Sequence, residues 1–370
     1  MNRRDWLKTA GAVSAAAALP IDSLALPENG PAKVETEVVR LNLRHTWTTT
    51  MSSSQYRDVL MLRYIRDGVT GYGEGAPIVR YKEDAKGGQA AVAKLNDLLT
   101  TTNPWHIEEL ENEIWQREPG EWAAKSAIDI ALMDWIGKKL GIPLYQYYGL
   151  DPAKAPITTF SIGMDKPDIV KAKVEEAKDF PVLKIKVGLS TDEEMIASVR
   201  AATKKPLRVD ANEGWTNKEE AVRKINWLQT QGVEFIEQPI PASMIGDIKW
   251  IRERVQMPII ADEACERPPD VLKCKEAGFD GVNIKLDKAG GMRNAYKMLQ
   301  IAKGLGMKTM LGCMISSSCT VTAAAMLSPL VDYADLDGGL LIANDPFVGV
   351  TVKDGKLILP NGPGLGLKKQ

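Results

Sequence analysis

Histidine is almost missing from this chain: only His45 and His106 occur in 370 residues. Neither has a partner at ligand spacing, so capping or packing is expected for both, and histidine-based catalysis is disfavoured. Cysteine is nearly as scarce. Cys265, Cys274, Cys313 and Cys319 all fall late and lack paired CxxC spacing, which argues against a zinc site. Buried thiols are expected rather than a disulfide framework. An excess of one charge is absent too, since 47 Lys and Arg are interspersed with 48 Asp and Glu. Nucleic acid therefore has no electrostatic footprint here, and a small molecule is the expected partner. Long apolar runs are also lacking. The one near the N-terminus, Ala10 to Leu19, is about half the ~20 residues that span a bilayer, so no membrane anchor is expected.

That short run belongs to a segment resembling a twin-arginine export signal. Asn2-Arg3-Arg4-Asp5-Trp6-Leu7-Lys8 precedes it, and small residues around Ser23-Leu24-Ala25 suit cleavage. Residues 1–25 are thus read as a targeting segment. The expected location is periplasmic, or cytoplasmic if the signal does not function. No Cys follows the run to accept a lipid. Such export carries folded cargo.

Residues 34–150 read as an α+β domain. Val34 to Leu43 and Val59 to Ile65 have strand patterning, and Asp67-Gly68 with Gly71-Tyr72-Gly73 supply turn signals. Thr46 to Ser54 is expected to be a mobile loop, and Ala76 to Asp84 a second loop carrying Arg80 and Tyr81. From Ala85 to Leu140 the apolar period turns helical, ending at Gly141 and Pro143.

Over residues 156–345 strand-like and helix-like stretches alternate. Short apolar runs are predicted as strands at Ile157–Ile162, Val182–Val187, Leu207–Asp210, Phe235–Glu237, Ile259–Asp262, Gly281–Lys285, Lys308–Gly312 and Tyr333–Leu336. Thr191 with Glu194 and Thr216 with Glu219 have capping-box spacing at helix starts. Eight such runs with intervening helices predict a parallel α/β barrel. The rival, a doubly wound open sheet, would show a Gly-rich fingerprint after its first strand, and Ser161-Ile162-Gly163-Met164 has none.

Charged residues end these runs at a regular step: Lys186, Asp210, Glu237, Asp262 and Lys285 are 24, 27, 25 and 23 residues apart. In a parallel barrel the C-terminal strand ends share one mouth, where catalytic groups sit. Asp210, Glu237 and Asp262 then face one point, a hard-oxygen site suited to Mg²⁺. A lone Asp at such a position is ordinarily a cap or a solvated turn. Three on successive strands favour the metal. Lys184 and Lys186 share one strand face, and Lys285 ends the sixth strand almost opposite. Mutual repulsion and a nearby cation would lower their pKa values and make a neutral amine available as a general base. Pairing with the carboxylates as structural ion pairs is the alternative.

Over residues 34 to 360 the chain resembles the enolase superfamily in its muconate-lactonizing-enzyme subgroup. The carriers are Lys184-Ile185-Lys186, the ligand set Asp210, Glu237 and Asp262, and Lys285. The resemblance implies a (β/α)7β TIM-like barrel under an N-terminal α+β capping domain, with residues 346–370 returning to that domain. It also implies one Mg²⁺ per subunit and a homo-oligomer. Its chemistry is removal of a proton α to a carboxylate, with Mg²⁺ stabilising the enediolate. Lys186 and Lys285 are the implied acid/bases on opposite faces, and Lys184 the residue that lowers the pKa of Lys186. Asp335-Leu336-Asp337 is similar to the Asp-x-Asp motif of dipeptide epimerases, whose carboxylates hold the substrate's α-ammonium. A turn before Gly338-Gly339 is its structural alternative.

The resemblance thus implies a dipeptide epimerase that inverts the second residue, with L-Ala-D/L-Glu peptides of murein turnover as the nearest substrate class. Substrate contacts are expected from Asp335, Asp337, Arg80, Thr159 and Met51. Met51 or a neighbouring Ser stands where many relatives carry an Arg that reads the Glu side chain, and Arg80 is placed to supply that charge instead. Ser316 stands where Glu or Thr is common in the seventh-strand segment. The alternatives are another enzyme of the superfamily, a cycloisomerase or o-succinylbenzoate synthase, and an exported, non-catalytic metal-dependent binding protein.

Overall fold

Asp67 and Gly68 both take positive φ, 51° and 71°. That is the geometry of a tight two-residue hairpin, and it sets the register of the N-terminal sheet. The structure, a computed structural model, describes residues 30–370, so the export-like segment 1–25 lies outside the described residues. The chain divides at Pro31. Of the first unit only Gly30 and Pro31 are described, and they lie in no helix or strand; the second, Ala32–Gln370, holds every element below.

Strands β1 (Lys33–Thr48), β2 (Ser53–Arg66) and β3 (Val69–Gly75) form an antiparallel sheet. The strands run further than their patterning suggested, so the expected loop Thr46 to Ser54 shrinks to residues 49–52. A bulge between Asn42 and Trp47 absorbs the irregularity. Gly71 and Gly73, read from sequence as turn residues, lie inside β3. A Cβ on either would stand 2.0 or 1.9 Å from a carbonyl oxygen of helix Trp122–Leu140. Their absent side chains let that helix lie directly on the strand.

Eight parallel strands follow: β4 (Phe160–Ile162), β5 (Leu183–Lys186), β6 (Leu207–Asp210), β7 (Val233–Glu237), β8 (Ile259–Ala261), β9 (Gly281–Lys285), β10 (Lys308–Gly312) and β11 (Tyr333–Asp335). They lie in sequence order with helical crossovers between them, and a parallel bridge from Thr158 to Ala334 joins the first to the last. After β11 a short 3-10 turn, Gly338–Leu341, stands where another crossover helix would begin. This is the expected (β/α)7β order. The two capping boxes do not form. Thr191 makes no side-chain cap, and Asn217 rather than Thr216 caps helix Lys218–Thr230 by accepting from Glu220 N.

Alternation along each strand sends every second side chain inward. At the closed end of the barrel Phe235, Ile260 and Met310 pack together, with Arg208 stacked 4.8 Å over the Tyr333 ring. The next inward position on several of these strands is a charged one. The sheet seats on the barrel through Glu74 of β3, which accepts from Ser317 N (2.8 Å), Ser317 Oγ (2.7 Å) and Thr320 N (3.1 Å) at the start of helix Ser318–Leu327. The C-terminal segment packs on the N-terminal part as well: Leu365 N donates to Asp134 Oδ1 at 2.7 Å.

Candidate active site

The strand register puts Lys186, Asp210 and Glu237 side by side at the ends of β5, β6 and β7. On the far side, Lys285, Gly312 and Asp335 align across β9, β10 and β11. Because the inward positions of all these strands converge, the charged residues meet at one mouth. Gly312 is part of that geometry, for a Cβ there would come within 3.1 Å of Lys285 Cε.

The Asp210, Glu237 and Asp262 side chains are buried, with one oxygen from each within 4.8 Å of the others. Asp210 Oδ1 accepts from Asn212 N (2.9 Å), and Glu237 Oε1 accepts from Asn283 Nδ2 (2.7 Å). Glu237 Oε2 receives no hydrogen bond of proper geometry, although Lys184 Nζ stands 2.8 Å away. A buried carboxylate oxygen facing two other carboxylates with so little hydrogen bonding is the donor set a hard divalent cation requires. The residues present therefore fit a metal ion.

Four lysines neutralise this cluster. Lys186 Nζ donates to Asp210 Oδ2 (2.6 Å), Lys285 Nζ to Asp262 Oδ2 (2.7 Å), and Lys288 Nζ to Asp262 Oδ1. Lys184, 1% exposed, donates to Asp335 Oδ2 (2.6 Å) and lies 3.2 Å from Asp210 Oδ2. Without a metal ion, two of the lysines are shifted upward, opposite to the direction expected beside a bound cation. Burial opposes the charge of Lys184, but Asp335, Glu237 and Asp210 outweigh it and hold the amine well above its ordinary value. Lys285 is likewise raised, burial being overcome chiefly by Asp262. At these distances the carboxylates dominate over lysine–lysine repulsion.

The carboxylates split. Burial and the neighbouring Asp210 push Glu237 up to about 7. Against the same burial, Lys285 and Lys288 hold Asp262 well below the usual range. Burial is also outweighed at Asp335, where Lys184 brings the carboxyl down to about 2, whereas burial and Asp335 push Asp337 up to about 7.

The residues expected to contact substrate divide into three groups. Asp335 and Asp337 are buried beside β4: Asp335 Oδ1 accepts from Thr159 Oγ1 (2.6 Å) and Ser161 Oγ (3.2 Å), and Asp337 Oδ2 accepts from Ser161 N (2.5 Å). The Thr159 hydroxyl is thus directed at Asp335. Met51 lines the cavity above the lysines, together with Tyr81, Met314 and Ile315. Arg80 lines it too, but its guanidinium is bound two-pronged to Glu213, at 2.6 and 3.0 Å.

Sequence reading passed over several residues that hold the mouth in shape. Gln238 Oε1 accepts from Asp262 N (3.0 Å) and Ala264 N (3.1 Å), pinning the turn after β8. Asn212 Nδ2 donates to Glu263 Oε1 at 3.0 Å. Asn212, Glu213 and Gln238 all take positive φ (41°, 64° and 35°), a backbone region L-residues seldom adopt and one that clusters at functional sites. Their position one to three residues past a ligand was the available signal.

A closed, capped parallel barrel whose mouth carries a three-carboxylate metal set between lysines from opposite strands defines the class: an enzyme of the (β/α)7β type built around a metal ion. Residues 33–149 match the mandelate racemase / muconate lactonizing enzyme N-terminal domain, and residues 169–369 the enolase C-terminal domain-like family. The chain belongs to the enolase superfamily. It is 40% identical to the L-Ala-D/L-Glu epimerase of Bacteroides thetaiotaomicron, covering 100% of this chain and 99% of that protein. To the L-Ala-D/L-amino acid epimerase of Pedosphaera parvula it is 43% identical over 89% of this chain and 96% of the relative. Among solved structures, the dipeptide epimerase of Cytophaga hutchinsonii complexed with Mg and D-Ala-L-Val superposes with a TM-score of 0.87. That likeness is at 27% identity and covers 92% and 96% of the two chains.

Proposed function

We propose that this protein is a Mg²⁺-dependent dipeptide epimerase that inverts the α-carbon of the second residue, on L-Ala-D/L-Glu peptides of the kind murein turnover releases. The observation carrying the reading is the buried triad Asp210, Glu237 and Asp262 flanked by Lys186 on β5 and Lys285 on β9. The names of the three relatives, an L-Ala-D/L-Glu epimerase, an L-Ala-D/L-amino acid epimerase and a dipeptide epimerase, support it.

Held by the triad, the metal ion would bind the substrate carboxylate and stabilise the second negative charge that α-deprotonation creates. The protein supplies the proton traffic. Lys186 and Lys285 stand on opposite sides of the mouth, so one removes the α-proton and the other returns a proton to the opposite face. Lys285 is the donor when Lys186 is the base, and the two exchange roles for the opposite epimer. Lys184 is a positioning charge: fully buried among Asp335, Glu237 and Asp210, it touches no solvent-lined space. Asp337, with Asp335 behind it, holds the α-ammonium of the first residue.

A dipeptide library in D₂O with Mg²⁺ tests the reading. Epimerisation with mass gain of one at the second residue is expected, and no exchange with any dipeptide would remove it. Export by residues 1–25 is a separate part of the proposal. Cell fractionation should find the full chain in the periplasm and its Arg3→Lys/Arg4→Lys variant in the cytoplasm; equal distribution would refute it.

A further inference from the structure

We propose that Arg57, on the barrel-facing side of β2, is the residue that reads an acidic side chain on the epimerised amino acid; the inference rests on the epimerase reading above. β2 pairs with β1 so that Arg57 lies opposite Leu41 and Val59 opposite Val39. Leu41 and Val59 are fully buried against Met314 and Ile315, which fixes the face on which Arg57 also lies. Its side chain accordingly lines the same cavity as Lys186 and Lys285.

The charges in that cavity are unequally matched. Arg80 is spent on Glu213, which also accepts from Ala242 N at 2.7 Å. Lys186 and Lys285 are spent on Asp210 and Asp262. Among the described residues, Arg57 makes no ion pair. Its recorded hydrogen bond is a 3.3 Å donation to the carbonyl of its neighbour Tyr56. Glu263, the single carboxylate lining this cavity among the described residues, bonds to Asn212 instead.

A half-buried guanidinium cannot shed its charge and is costly to leave unpaired. Burial alone accounts for the lowering of its pKa, with no nearby anion to offset it. An arriving carboxylate supplies the missing partner. The substrate's main-chain carboxylate is directed to the triad below, so the anion left to meet β2 is on the side chain of the second residue. Recognition is then placed on a rigid strand, six residues beyond Met51.

The test compares kcat/KM for L-Ala-L-Glu, L-Ala-L-Gln and L-Ala-L-Met in wild type, Arg57→Met, Arg57→Lys and Arg80→Met, each with Mg²⁺. Wild type should favour Glu over Gln by about 10- to 100-fold, the worth of a charge-assisted pair. Arg57→Met should reduce that ratio to within about threefold of unity, and Arg57→Lys should keep part of it. Equal wild-type rates for Glu and Gln peptides would overturn the proposal without any variant. So would discrimination that survives Arg57→Met, or that is lost only in Arg80→Met. If Arg57→Met does not fold, Arg57→Lys and the wild-type ratio decide. Turnover of no dipeptide at all would instead sink the epimerase reading.

Discussion

Replacing Glu237 by Gln should flatten the pH dependence of stability in the metal-free protein. Glu237 is fully buried, and burial with Asp210 lifts its pKa from an ordinary 4.5 to about 7, against the pull of Lys184. An acid whose pKa is raised by folding binds its proton more tightly in the native state. Its contribution is therefore fully present below pH 4.5 and is lost as pH rises to about 7. A shift of that size corresponds to about 3 kcal/mol. The Gln side chain mimics the protonated form at every pH, so the variant lacks this loss.

Urea denaturation in EDTA between pH 5 and 8 measures the difference. Wild type should lose about 2 kcal/mol more than Glu237→Gln between pH 5 and pH 7, with a differential slope approaching ~1.4 kcal/mol per pH unit. Glu263 and Asp337, also raised, act in the same direction in both proteins and cancel in the comparison. Adding Mg²⁺ at pH 7.5 should restore wild type and leave the variant little changed, because binding requires the ionised carboxylate. Parallel pH–stability curves for the two proteins, or wild type gaining on the variant from pH 5 to 7, would refute the reasoning.

Lys186→Met and Lys285→Met should each lower epimerisation by at least about 100-fold, while solvent deuterium still enters one of the two epimers through the remaining lysine. NMR of the α-proton separates the two processes, and loss of exchange from both epimers in either variant contradicts the two-face arrangement. Asp337→Asn should raise KM for a free dipeptide by about tenfold and leave an N-acetylated dipeptide unaffected by comparison, since only the former brings an ammonium; identical effects on both speak against the clamp. Glu74→Ala removes the acceptor for Ser317 N, Ser317 Oγ and Thr320 N, and should cost about 3 kcal/mol in denaturant unfolding. A loss under about 0.5 kcal/mol would mean that the sheet is seated by apolar contacts alone.

The barrel was legible because buried parallel strands are short apolar runs, and their ends carry the charged residues. Lys186, Asp210, Glu237 and Lys285 could be named from spacing alone for that reason. Other features were not legible, each for a local cause. Gly71 and Gly73 look like turn residues until helix Trp122–Leu140 is seen lying 2 Å from where their Cβ atoms would be. Thr191 and Thr216 have capping-box spacing, but hydroxyl direction depends on how the chain enters each helix. Asn212 and Gln238 hold the mouth through backbone and side-chain bonds that follow no motif.

The sequence by itself determined the architecture, the three carboxylates and the two opposed lysines, because strand period and strand-end chemistry are written one residue after another. Which cation faces which anion was decided by the tertiary structure alone. Arg80 and Arg57 are equally charged in sequence, yet Glu213, brought in from the turn after β6, takes Arg80 and leaves Arg57 open to the cavity. Lys184 was expected to be one of two repelling amines, and in the metal-free site three carboxylates from other strands shift it upward instead. Such pairings depend on distances of about 3 Å between side chains from different strands and loops, and only closure of the barrel under its capping sheet sets those distances.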